Sequence, residues 1–184
     1  QQDTPLEKGY LLRIGIDHFK EINDNFGQEY GDFVLRKTAD CISGCISEAQ
    51  KVYKLVADEF LILDVSSDEV KDADKLYDKV RNEIDRFIES NEFKVIYTVS
   101  GGIVPFAALK GNQCSEALKL TDFALNEAKK LGRNRCYIFN GETYRKFLRK
   151  REITQELREA VINGFQGFTA LYQPVFAEDK KVPY

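Results

Sequence analysis

The stretch that decides the fold is VYKLVADEFLILDV, residues 52–65. Two apolar runs, 52–55 and 60–65, have the composition of short strands, and only the four residues Val56-Ala57-Asp58-Glu59 separate them. So short a connection joins antiparallel neighbours, and it therefore predicts a hairpin. The prediction rests on length rather than turn chemistry, because the connection has no Gly or Asn to supply a positive φ. A sheet that contains this hairpin cannot be wholly parallel.

The segments on either side of the hairpin alternate between strand and helix patterns. Asp17 is expected to cap a short helix that ends before Gly27. The predicted strands cover 10–16, 94–104 and 135–139 in addition to the hairpin, and the predicted helices cover 20–25, 30–47, 68–90 and 115–131. This order predicts an α/β (α+β) sandwich with a central mixed or largely antiparallel sheet of five strands, flanked by helices.

The chain changes character after residue 141. Residues 142–163 predict a highly charged helix whose apolar positions gather at Leu157, Ala160 and Val161. A new apolar strand is predicted over 169–176, but too few residues follow it to complete a second core. We therefore divide the chain into a domain over 1–141, a connector helix and linker over 142–167, and the truncated start of another domain over 168–184.

Composition excludes several classes of protein. The net charge of −3 argues against a nucleic-acid-binding surface, because neutralising phosphates needs a clustered basic patch. No apolar run reaches the roughly 20 residues of a membrane span, so we expect no membrane segment within these residues. An anchor upstream of Gln1 would be compatible with this composition.

The cysteines and the single histidine do not form a metal site. Cys41 and Cys45 lie one helical turn apart, but they are expected to be small buried apolar side chains because no second ligand pair accompanies them. His18 is expected at the surface or at a helix cap. Unpaired cysteines favour a reducing compartment, so we expect a cytoplasmic location.

Three motifs in this chain occur in the order typical of one family. They are IDHFKEIND over 16–24 with Gly27, Gly31 and Asp32 after it, then Asp58-Glu59-Phe60 in the hairpin, then Ala124-Leu125 with EAKKLGRNR over 127–135. Together they resemble GGDEF domains, the fold of bacterial diguanylate cyclases, over about residues 8 to 140. The resemblance implies a nucleotidyl-cyclase-like fold whose hairpin carries the signature motif.

The end of the chain resembles a second family. LREA over 157–160 and LYQPV over 171–175 are similar to the first helix and strand of an EAL domain, the fold of cyclic di-GMP phosphodiesterases. The resemblance implies a GGDEF–EAL tandem, in which the catalytic carboxylates of the EAL domain would lie beyond Tyr184.

The resemblance also implies which catalytic groups are missing. Active relatives join two GTP molecules, with Mg²⁺ held by carboxylates. Here Gly15 stands where the family has its first-strand Asp, and Val56 and Ala57 replace the two signature glycines. Asp58 and Glu59 remain as candidate metal ligands, and Glu59 would be the catalytic carboxylate if the domain were active. We expect a degenerate, inactive site.

The nucleotide-binding set matches the family better. By resemblance, Asn23 and Asp32 would hydrogen-bond guanine, Lys129 and Arg133 would hold the terminal phosphates, and the backbone near Phe19 and Lys20 would assist them. Mg²⁺ would be recruited only with a nucleotide. Each residue also has an ordinary structural explanation, such as a turn or the complement of a helix end. Their joint presence at the family's spacing favours a nucleotide site.

Three functions are open from the sequence. The first is an inactive GGDEF domain that binds GTP and regulates an attached EAL domain through the connector helix. The second is an active diguanylate cyclase with a rearranged metal site, in which an acid such as Asp17 replaces the missing one. The third is a module without a ligand that serves as a scaffold or forms a homodimer.

Overall fold

The computed structural model describes residues 8–67, 69–90, 94–109 and 114–172. The chain divides into two compact units, Gln1–Gly141 and Glu142–Tyr184. The predicted functional residues all belong to the first unit, which holds a sheet and four helices.

The sheet has five strands in the order β2-β3-β1-β4-β5. The central strand β1 pairs antiparallel with β3 and with β4, β2 pairs antiparallel with β3, and β5 pairs parallel with β4. The predicted mixed sheet and its hairpin β2–β3 are therefore confirmed. The strand bounds are β1 Tyr10–Ile16, β2 Gln50–Lys54, β3 Glu59–Asp64, β4 Val99–Pro105 and β5 Cys136–Ile138.

Helices pack on both faces of this sheet. They are α1 Phe19–Phe26, α2 Gln28–Cys45, α3 Val70–Ser90 and α4 Cys114–Lys130. Alternate residues of β1, such as Leu12 and Ile14, enter one apolar core with Val34 of α2 and Val80 of α3, and all four are fully buried. Burying each such side chain contributes about 1.5–3 kcal/mol. The opposite face of β1 is turned towards α4, and this face carries the candidate site.

Strand β4 starts later than the sequence predicts. It begins at Val99 rather than at residue 94, although Tyr97 is buried as its alternation indicated. The carbonyl of Thr98 accepts a hydrogen bond of 2.8 Å from the backbone N–H of Asp17, and Ile96 is 85% exposed. Residues 94–98 thus run past the end of β1 and do not form a ladder there.

The capping role predicted for Asp17 is wrong. His18 occupies the N-cap position of α1 with φ 56°, and no side chain caps the helix. Asp17 is instead 2% exposed and accepts hydrogen bonds from Thr98 Oγ1 (2.7 Å), Ser100 Oγ (2.7 Å) and the backbone N–H of Asn134 (3.2 Å). A carboxylate buried at the end of β1 needs these donors, and they hold it away from the helix end.

The placement of His18 and of the helical cysteines follows the predictions. His18 is exposed at the start of α1, with Nδ1 2.6 Å from Glu21 Oε1. Cys41 and Cys45 are buried on α2. Burial raises the pKa of Cys41 to about 11 and also raises that of Cys45. Neither sulfur is therefore a ready thiolate, and both behave as apolar side chains.

The second unit contains most of the helix α5, Gly141–Ile162. Ion pairs one turn apart, Glu142–Lys146 at 2.7 Å and Arg149–Glu152 at 3.4 Å, accompany its high charge. The strand predicted over 169–176 is not formed in its described part, 169–172, and the rest of it lies outside the described residues. None of the helices in the described ranges has the length and apolar content to cross a bilayer.

Candidate nucleotide site

The β1 face turned towards α4 brings Gly15, Glu59 and Lys129 together. Gly15 of β1 pairs directly with Glu59 of β3, and paired residues in an antiparallel ladder project from the same face. A Cβ atom placed on Gly15 would lie 3.5 Å from Cγ of Glu59 and 3.1 Å from Nζ of Lys129. The structure therefore gathers three of the positions that the sequence selected, although they are up to 114 residues apart in the chain.

The carboxylate of Glu59 is held by Arg13, a residue that the sequence analysis did not select. Nε of Arg13 donates to Oε2 of Glu59 at 2.7 Å, and Nη2 donates to the same oxygen. Both side chains are largely buried, with 13% and 19% exposed. Arg13 also donates to the carbonyl of Leu118 at 3.2 Å, and its Nη2 lies 3.3 Å from Oδ1 of Asp122. Both contacts use Oε2, so this ion pair takes up one of the two oxygens that Glu59 could offer to a metal.

Lys129 has no such partner. It stands in the last turn of α4 and is partly buried. No ion pair in the described part of the chain involves its ammonium, whereas the neighbouring Lys130 pairs with Glu127 at 2.6 Å. The ammonium lies beside the backbone of Gly15.

The hairpin tip carries its unusual backbone at Ala57. Ala57 has φ 54°, so a left-handed residue is present although the sequence offers no Gly or Asn. Val56, whose β-branched side chain resists such a φ, keeps a negative one and is 83% exposed. An alanine in this region costs about 1 kcal/mol, which indicates that the tip retains a turn better suited to glycine. Asp58 stays close to β1, since its carbonyl accepts from the N–H of Ile16 at 3.3 Å.

Helices α1 and α2 hold the residues assigned to guanine. A Cβ atom on Gly31 would lie within 3.0 Å of Oδ1 of Asn23, so a larger residue at 31 would force the Asn23 side chain to move. Oδ1 of Asn23 is buried and has no hydrogen-bond partner among the described residues. An orphaned buried acceptor costs about 1–3 kcal/mol and calls for an explanation, such as a ligand that supplies the donor. Asp32 follows Gly31 and is exposed, as is Lys20 on the first turn of α1.

The turn after α4 places Arg133. Gly132, Arg133 and Asn134 have φ angles of 114°, 60° and 45°, three left-handed residues in succession. The N–H of Arg133 bonds to the carbonyl of Ala128 at 3.2 Å, and that of Asn134 donates to Asp17. Asp17 thus fixes the turn that presents the exposed Arg133, and strained residues of this kind often occur at ligand sites.

A cavity of about 300 Å³ opens elsewhere, between α1 and residues 95–98. Its lining includes Glu21, Phe26 and Ile96, and none of the six predicted nucleotide contacts. This cavity therefore does not mark the predicted nucleotide site.

Comparison with known proteins identifies the family. The sequence profile described as "Diguanylate cyclase, GGDEF domain" matches residues 1–135, and the chain therefore belongs to the GGDEF family. It is 28% identical to the cyclic di-GMP phosphodiesterase NbdA of Pseudomonas aeruginosa, an alignment that covers 91% of this chain and 21% of NbdA. It is 33% identical to a diguanylate cyclase of Vibrio cholerae serotype O1, covering 72% of this chain and 40% of that protein. The chain thus spans less than half the length of these curated relatives.

Solved structures confirm the fold. The GGDEF domain of the P. aeruginosa protein TpbB (YfiN) superposes with a TM-score of 0.67 at 26% identity, over 77% of this chain and 82% of that one. The predicted nucleotidyl-cyclase-like fold is therefore confirmed, and this chain has the fold of solved GGDEF domains.

GGDEF cyclases use Mg²⁺, and the residues of this site do not fit a resident Mg²⁺ ion. Gly15 offers no ligand, one oxygen of Glu59 is engaged by Arg13, and the ammonium of Lys129 would repel the ion. Within the described ranges no three carboxylate, histidine or cysteine side chains come close enough to hold a metal. Asp58 remains as a single candidate ligand at the hairpin tip.

Proposed function

We propose that this domain has lost cyclase activity and binds GTP as a regulatory ligand that acts on an attached EAL phosphodiesterase domain. The observation that carries the proposal is the ion pair between Arg13 and Glu59, next to the empty position at Gly15. One carboxylate is absent at Gly15, and Arg13 takes up one oxygen of the other, Glu59, at the place where the family's chemistry needs both.

The loss of activity follows from the requirements of phosphoryl transfer. Two Mg²⁺ ions offset the charge that develops on the reacting phosphate, and they need several free oxygen ligands. Asp17 is not a convincing replacement for the acid missing at Gly15, because both of its oxygens already accept hydrogen bonds from Ser100, Thr98 and Asn134. A rearranged two-metal site therefore lacks support among the described residues.

Retention of GTP is supported by the groups that remain unsatisfied. Oδ1 of Asn23 is a buried acceptor without a donor, and guanine presents donors on its Watson–Crick edge. Lys129 has no ion-pair partner among the residues that the structure describes, and Arg133 is exposed on a strained turn, so both are available to phosphates. Phe19 packs against Gly31, which places the start of α1 beside the proposed guanine site.

An attached phosphodiesterase domain is supported by the relatives. NbdA is a cyclic di-GMP phosphodiesterase, and its alignment with this chain extends well past residue 135 into α5. The similarity of 157–160 and 171–175 to the start of an EAL domain agrees with that extension. We assign α5 the role of the connector that transmits the bound state to the EAL domain.

The test is a calorimetric titration of the 184-residue chain with GTP and Mg²⁺, with chromatographic analysis of the same sample for cyclic di-GMP. We expect saturable binding and no product. Asn23→Ala should weaken binding at least ten-fold, which corresponds to about 1.4 kcal/mol. The matched control Asn25→Ala, on an exposed position of the same helix, should leave it unchanged.

Two other outcomes would contradict the proposal. Formation of cyclic di-GMP would establish an active cyclase, and its loss in Glu59→Ala would assign the carboxylate responsible. Absence of binding, together with a dimer that depends on concentration, would establish a scaffold without a ligand. A homodimer that binds GTP without turnover is compatible with the proposed regulatory role.

A further inference from the structure

The cavity between α1 and residues 95–98 has two walls of different origin. One wall is a face of α1, because its residues follow one another at spacings of three and four: His18, Glu21, Ile22, Asn25 and Phe26. The other wall is the segment 95–98, which runs past the end of β1. The volume of about 300 Å³ lies at the lower end of the range for small-molecule pockets, about 300–1,000 Å³.

Both walls carry apolar surface that is open to solvent. Phe26 is 44% exposed on the helix, and Ile96 is 85% exposed on the segment opposite. Strand β4 begins only at Val99, and the backbone of Ile96 forms no hydrogen bond to another residue within the described ranges. Apolar walls with a few polar groups between them are typical of a site for a small ligand.

The charged groups in the lining of this cavity are acidic. Asp17 and Glu21 supply two carboxylates, His18 supplies an imidazole, and the lining includes neither Lys nor Arg. Asp17 is 2% exposed, and its three hydrogen-bond donors, two hydroxyls and a backbone N–H, are uncharged. Solvent and salt screen such a buried charge less than an exposed one. Glu21 is 68% exposed and pairs with His18.

Other charged side chains nearby in the sequence do not line the cavity. Lys20 and Asp24 are exposed on α1, and Lys94 and Arg133 are exposed beside residues that line or contact the acidic groups. Water and ions screen these four charges. The two carboxylates therefore determine the sign of the potential inside the cavity, and it is negative.

We propose that this cavity is a binding site for a small amphipathic amine. The apolar body of the amine packs between Phe26 and Ile96, and its ammonium group faces Glu21 and the buried carboxylate of Asp17. The inference is independent of the proposed function, because none of the six predicted nucleotide contacts lines this cavity.

The experiment titrates the isotope-labelled 184-residue chain with phenethylamine and follows the backbone amide signals by NMR. We expect saturable shifts centred on the amides of Asn25, Phe26 and Ile96, with a dissociation constant no weaker than about 10 mM for a ligand of this size. Hydrocinnamate carries a carboxylate on the same phenylethyl group and should bind at least ten-fold more weakly. Shifts that do not saturate or are centred elsewhere, or equal affinities for the two probes, would overturn the inference.

Two pairs of variants test the charge and the apolar wall separately. Glu21→Gln should weaken phenethylamine binding about three-fold, whereas Glu29→Gln, an exposed position on α2 outside the lining, should leave it unchanged. Ile96→Ser should also weaken it about three-fold, whereas Ile162→Ser, which is 82% exposed on α5, should not. Thermal unfolding verifies that all four variants are folded. Unchanged affinity in Glu21→Gln or in Ile96→Ser, or a loss equal to that of its control, would overturn the inference.

Discussion

Replacing Arg13 by Met should reveal how firmly Glu59 is held. The substitution removes both donors to the Glu59 carboxylate and the 3.2 Å hydrogen bond to the carbonyl of Leu118, while the Met side chain keeps much of the apolar stem. Breaking a fully buried ion pair costs about 3–5 kcal/mol. Because these side chains are 13% and 19% exposed, we expect a loss of about 2–4 kcal/mol in the free energy of unfolding.

A double-mutant cycle isolates the pair itself. Glu59→Gln should lower the free energy of unfolding by about 1–2 kcal/mol. The loss in the double variant should be smaller than the sum of the two single losses by about 1–2 kcal/mol. Urea unfolding followed by circular dichroism or by tyrosine fluorescence suits a chain that has no Trp and nine Tyr. Arg81→Met is the control, because its ion pair with Asp78 is 33% and 52% exposed and should contribute less than about 1 kcal/mol. Additivity of the Arg13 and Glu59 effects to within about 0.3 kcal/mol would refute the reasoning.

Three further predictions concern other positions. Gly15→Asp should not restore synthesis of cyclic di-GMP. The new carboxylate would meet the ammonium of Lys129, and Glu59 would remain paired with Arg13. Cyclic di-GMP detected by chromatography would contradict this prediction. Gly31→Ala should lower the free energy of unfolding by about 1–3 kcal/mol. Gly44→Ala on the same helix, with open space around it, should raise the free energy of unfolding by up to about 1 kcal/mol. Urea unfolding in which both substitutions change the stability in the same direction would contradict the packing described. Burial raises the pKa of Asp64, but hydrogen bonds led by those from Ser66 outweigh it and lower the pKa below 3.8. Since the pKa of Asp64 is lower in the folded than in the unfolded chain, its ionised carboxylate contributes stability above pH 3.8. This contribution is lost as the pH falls through the pKa of the folded state. In acid unfolding, Asp64→Asn should therefore make the free energy of unfolding less dependent on pH.

The sequence predicted the fold well because apolar periodicity determines it locally. The hairpin over 52–65 was recognisable from two apolar runs and a short connection, and it alone excluded a parallel sheet. The role of Asp17 was wrongly predicted because a helix-capping carboxylate and a buried, hydrogen-bonded carboxylate cannot be told apart in this sequence. A carboxylate that precedes a helix usually caps it, but burial beside β4 gave this one stronger donors from distant residues.

The site was only partly predictable. Arg13 carried a local signal that went unused: it is the single charged residue in an apolar strand, and its spacing of two from Gly15 places both on one face. Its contact with Glu59 depends on the register of β1 against β3, in which Gly15 pairs with Glu59 and Arg13 lies diagonally across from it. The approach of Lys129 to Gly15 had no such signal, since it depends on how α4 crosses the sheet, where Gly102 lets the helix backbone come close.

The hydrogen bonds of Asp17 also set the order in which this domain can be completed during synthesis. Its carboxylate directly follows the first strand of this domain, yet one of its donors, the N–H of Asn134, comes 117 residues later. β5 is the strand that closes the sheet beside β4, and it too comes from this late segment. A nascent chain interrupted between residues 46 and 133 would therefore contain helices α1 and α2 but lack the donor that Asn134 supplies to Asp17.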